Sequence, residues 1–196
     1  MIPGDHALRR AVVWVACLNL GYFGIEFSVA ISIGSVSLFA DSIDFLEDAS
    51  VNLLILVALG WSARRRAWVG MGLACLLLAP GVAVLWTVWS KFQTFAAPAP
   101  IPLSLAALGA FAVNLSCAFL LARHRHHAGS LSRAAFLSAR NDVLANVAIL
   151  AAALVTTYWR SAWPDLVVGL GIAAINVDAA REVWQAAHEE RFAARP

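Results

Sequence analysis

Asp41, Asp44, Glu47 and Asp48 fall within eight residues of a largely apolar run between Gly34 and Leu59. One charged residue at the centre of a membrane span costs about 2.5–3.5 kcal/mol on insertion, so such residues face a cavity, a partner or an ion. Helical positions three, four and seven apart share a face, which puts Asp41, Asp44 and Asp48 on one stripe with Glu47 to its side. Asp44 and Asp48 are spaced to offer oxygens to a single ion. Asp142, within Arg140-Asn141-Asp142 and close to Asn146, is again surrounded by alanine, leucine and valine. Counted from the span ends at about 1.5 Å per residue, Asp48 lies roughly 18 Å deep and Asp142 roughly 12 to 14 Å deep from the same side. Carboxylates converging there repel one another unless they are protonated or bridged by a cation. A divalent cation satisfies them, and its departure favours proton uptake, so metal release and proton binding become linked. The competing reading is that these acids pair with Arg140 or meet water near the span ends. It weighs most for Asp41, which lies toward the outer end.

The elements that position these residues follow from composition. The chain has 196 residues, 61% hydrophobic and 13% charged, with the apolar residues in long runs. That composition predicts an all-α polytopic membrane protein, a six-transmembrane-helix bundle. The expected spans are 11–33, 36–60, 67–90, 103–122, 134–157 and 163–184, forming one transmembrane domain over 1–196 with no soluble domain. The apolar run after Arg9 and Arg10 outlasts a signal-peptide core and reads as a retained first span. Phe95 to Pro102, rich in alanine and proline, reads as an outward loop. Eleven basic residues (Arg9, Arg10, Arg64, Arg65, Arg66, Arg123, Arg125, Arg133, Arg181, Arg191 and Arg195) fall on one side of this scheme, against Lys91 and Arg160 on the other. Basic residues accumulate on the cytoplasmic side, so both termini are expected there. Cys17, Cys75 and Cys117 stand singly and read as small buried hydrophobes.

The stretch Gly34-Ser35-Val36-Ser37-Leu38-Phe39-Ala40-Asp41-Ser42-Ile43-Asp44 through Asp48, with Asn141-Asp142-Val143 and Asn146, resembles the cation diffusion facilitators. These are six-span exporters that exchange divalent metal ions for protons. Asn19, Glu26 and Asp165 also resemble family positions, and the likeness covers nearly the whole chain. It implies export of a divalent transition-metal cation (zinc, cobalt, cadmium, iron or manganese), with Asp44, Asp48 and Asp142 as metal ligands. It also implies a homodimer in a bacterial inner membrane. The expected partners are membrane lipid, the metal ion and protons, with no nucleic acid.

Two departures qualify the resemblance. Ser138 stands where the family has His or Asp four residues before the fifth-span aspartate. Ser138 and Asn141 are therefore weak ligand candidates, and the oxygen-only set leans toward a harder or less selective ion. About a dozen residues follow Trp184, so a short form lacking the C-terminal cytoplasmic domain is expected. His124, His126 and His127 lie where the family often collects metal, although a basic headgroup-facing loop explains them as well. A degenerate, non-transporting relative acting in assembly or metal binding is the alternative. An enzyme is not expected, because no HExxH, GxSxG or paired Cys and His is present.

Overall fold

A computed structural model describes residues 4–58, 85–91, 96–122 and 129–193. The described residues are all-helical, in six segments: α1 Gly4–Ile33, α2 Val36–Ala58, α3 over 85–91, α4 Pro100–Ala122, α5 Gly129–Tyr158 and α6 Trp163–Ala193. The ends of α1, α3 and α5 and the starts of α2, α4 and α6 meet at one end of the bundle, marked by Gly34. α1 packs along α2, α4 along α5, and α2 also touches α4, α5 and α6. The acid-bearing helix is therefore the one on which the others converge.

Its exterior is apolar: Trp14, Ile25, Ile101, Leu105, Phe119, Leu154 and Val167 are exposed. Buried within are Asn19, Glu26, Asp41, Asn114 and Asn146. That inverts the soluble arrangement and suits a lipid surround. Arg9–Ile33, Pro100–Ala122 and Ala139–Tyr158 are long and apolar enough to cross a membrane, and Trp163–Ile175 is a shorter apolar stretch. α2 is 23 residues long, and its carboxylates set it apart from these three. The third expected span falls outside the described residues except for α3.

Local chemistry sets the α1–α2 turn. Gly34 has φ +61°, a left-handed conformation that favours glycine, and the Ser35 amide donates back to the Ala30 carbonyl (3.0 Å), a Schellman-type helix stop. Ser35 then caps α2, its Oγ accepting from the Leu38 amide at 3.2 Å. Proline is tolerated in a first helical turn, so α4 begins at Pro100, and the non-helical described part of the predicted loop is 96–99. α5 begins at Gly129, ahead of the expected span start. Aromatic pairs Tyr22–Phe45 (centroids 5.2 Å apart) and Phe27–Phe39 (5.5 Å) knit α1 to α2. Cys117 is buried as expected; Cys17 is exposed, on the apolar outer face of α1, and Cys75 lies outside the described residues.

Candidate metal centre

α2 carries Asp41, Asp44, Glu47 and Asp48 into the bundle. Asp41 is fully enclosed, Asp44 is buried, and Glu47 and Asp48 are half-buried. α5 brings the half-buried Asp142 toward them: the charges acting most strongly on it are Asp48, then Asp44, Asp41 and Glu47. The two helices thus bring the sequence-derived aspartates into one electrostatic neighbourhood. Among the described residues, no three His, Cys, Asp or Glu side chains are close enough together to hold a metal ion in this arrangement. Asn141 is exposed and accepts from Arg140 Nη2 at 3.3 Å, so Arg140 also points to the outer surface. Ser138 lies on α5, its side chain outside the described residues, as are His124, His126 and His127.

Two polar chains cross the interior around these acids. In one, Cys117 Sγ on α4 donates to Asn19 Oδ1 on α1 (3.5 Å), and Asn19 Nδ2 donates to Asp48 Oδ2 on α2 (3.4 Å). In the other, Asn114 Nδ2 on α4 donates to Asn146 Oδ1 on α5 (3.3 Å), and Asn146 Nδ2 donates to Asp41 Oδ2 (2.5 Å). Three helices, α1, α4 and α5, are thereby tied to the two ends of the acidic stripe on α2. Asn52, one turn beyond Asp48, donates to the Asp48 carbonyl (2.7 Å), while its own buried Oδ1 has no partner among the described residues.

Asn114, Asn52 and Cys117 escaped the sequence reading. For Asn114 and Asn52 a signal existed, since an amide inside an apolar helix seeks a partner. A thiol packs like a small hydrophobe, so Cys117 gave none.

A third polar centre closes the Gly34 end. Asp165 of α6 is fully buried and accepts from Ser35 Oγ (2.6 Å), Ser37 Oγ (2.7 Å), the Val36 amide (2.8 Å) and the Ser37 amide (3.1 Å). Its carboxylate meets the positive N-terminal end of α2 from the first turn of α6, where negative charge is also favoured. Lys91 Nζ stands 3.5 Å from it and also donates to the Gly34 carbonyl. The close approach needs Gly169, because a Cβ there would lie 2.7 Å from the Val36 carbonyl carbon.

Carboxylate and amide oxygens of this kind, arrayed along one helix and faced by Asp142 from another, can bind and release a hard or borderline cation. A family model, the cation efflux transmembrane domain, matches residues 12–187. With apolar membrane-length helices surrounding buried acids and a match over nearly the full 196 residues, the chain belongs to the cation efflux family of integral membrane transporters, whose substrates are metal cations.

Proposed function

We propose that the protein exports a divalent transition-metal cation from the cytoplasm in exchange for protons, with Asp44, Asp48 and Asp142 as ligands and proton acceptors. The observation that carries this reading is the packing of α5 against α2, which sets Asp142 on one helix and the buried acidic stripe on its neighbour. In the arrangement described, the three carboxylates stand apart as a metal group. A cation would draw them together, and rocking of helices around a midplane site would expose it to each side in turn. Six crossings, both termini in the cytoplasm, a bacterial inner membrane and a homodimer complete the proposal. Zinc, cobalt, cadmium, iron and manganese remain the candidate ions, with the oxygen-rich ligands favouring the harder among them.

Purified protein in liposomes tests the reading. A metal gradient should drive counterflow of protons, and replacing Asp44, Asp48 and Asp142 by alanine should abolish both fluxes. Persistence of metal-dependent proton movement in the triple variant would overturn it.

The separation of the three carboxylates and the serine at 138 favour a second reading, a non-transporting relative. Metal-driven proton counterflow by the wild type in liposomes, lost in the triple variant, decides against that alternative.

A further inference from the structure

Glu26 of α1 and Asp41 of α2 are both fully enclosed, and their carboxyls lie within hydrogen-bonding reach of one another. Among the described residues, both oxygens of Glu26 and Oδ1 of Asp41 have no hydrogen-bond partner. The fourth oxygen, Asp41 Oδ2, accepts from Asn146. The amide bonds beside the pair run, among the described residues, in one direction, from Asn114 to Asn146 and from Asn146 to Asp41. Tyr22, the hydroxyl beside the pair, donates to the Ala106 carbonyl at 2.6 Å. The facing oxygens of the two carboxyls therefore meet no donor among the described residues. Two buried carboxylates without a cation or donor between them are strongly disfavoured, whereas one proton turns the contact into an O–H···O⁻ bond.

Among the described residues, the groups facing the pair leave no other source of positive charge. α1 contributes Tyr22, α2 contributes Asp44, and α5 contributes Asn146 and, farther off, Asp142. On α4, Cys117 bonds Asn19, and on α6, Asp165 is held by Lys91 and the start of α2. Two carboxyls and an amide also make a poor cage for a metal ion, and no third described acid, thiol or imidazole completes one.

We propose that Glu26 and Asp41 form a proton-binding site distinct from the metal-binding aspartates, in which the two carboxyls share one proton and release it when a cation reaches Asp44 and Asp48. Asp41 sits roughly 8 Å along α2 from the Gly34 end and Asp48 roughly 18 Å. The added positive charge one to two turns away favours the ionised pair through a poorly screening interior. On release the O–H bond breaks, the proton passes to water, and both carboxyls remain as carboxylates. The release step rests on the export reading; the shared proton does not.

The test uses full-length purified protein, zinc as the probe cation, and the variants Glu26→Gln and Asp41→Asn. In the carbonyl-stretch region of protonated carboxyl groups, infrared spectra of the metal-free protein near neutral pH should lose the intensity of one group in both variants relative to wild type, with protonated Asp44, Asp48 and Asp142 contributing equally to all three. Protons released per bound zinc, read with a pH dye in weak buffer, should fall by one in each variant while zinc binding stays close to wild type. Protonated-carboxyl intensity undiminished in both variants, or proton release unchanged in both, overturns the proposal. Asp41→Asn keeps the shape of the side chain and its bond to Asn146, so it remains informative if Glu26→Gln does not fold. A wild type that binds zinc without transporting it would remove the export reading, while the metal-free infrared spectra would still decide whether the pair holds a proton.

Discussion

Asp165 of α6 and Asp41 of α2 are both fully buried carboxylates, and their surroundings are opposite. Asp165 receives four hydrogen bonds, an ammonium group and the positive end of a helix. Asp41 receives one amide bond and faces Glu26, another acid. Burial alone therefore does not distinguish a structural carboxylate from a working one; the count of donors does. Where donors saturate the oxygens, negative charge is fixed and holds helices together. Where oxygens outnumber donors, the charge must come and go.

Substitutions at the two places should separate stability from transport. The largest loss of stability is expected from Asp165→Ala, which leaves Lys91 and the α2 amides buried without their acceptor. Breaking a buried pair of this kind costs about 3–5 kcal/mol, and thermal unfolding of the detergent-solubilised protein should show a large drop in midpoint. Gly169→Ala comes next, at about 1–3 kcal/mol, because its Cβ would press on the backbone of α2 rather than on a yielding side chain. Asn146→Ala should cost about 1–3 kcal/mol by removing the donor to Asp41 and the acceptor for Asn114. Proton counterflow is the reading that sharpens the contrast. Asn146→Ala should depress it more than Gly169→Ala does at matched amounts of folded protein, and equal effects would blur the distinction between fixed and exchanging charge.

The acidic stripe was legible because a carboxylate in an apolar run is costly wherever it points, so Asp41, Asp44 and Asp48 stood out from composition and helical spacing. Membrane-length helices were legible for the same reason, as at Pro100–Ala122. The partner of each acid was not. Asp165 meets Ser35 across 130 positions of sequence, and Glu26 meets Asp41 only through the register in which α1 lies on α2. Nothing in one chain's spacing fixes the rotation of two packed helices. Gly34-Ser35 read as part of a resemblance; its physical content, a left-handed helix stop followed by a helix cap, emerges only with the backbone. Cys117 gave no sign of its contact with Asn19, since its hydrophobic character accounted for its burial.

The clasp at Gly34 also has a mechanical consequence. With its first residues bound to α6 and the preceding Gly34 held by Lys91, α2 is anchored at that end, which would serve as its fulcrum. At roughly 1.5 Å per residue, a rigid tilt about the fulcrum sweeps Asp48 through more than twice the arc of Asp41. Asp41 stays near the pivot while Asp48 rides the long lever arm, so one helix can hold one carboxylate nearly still and carry another across the interior.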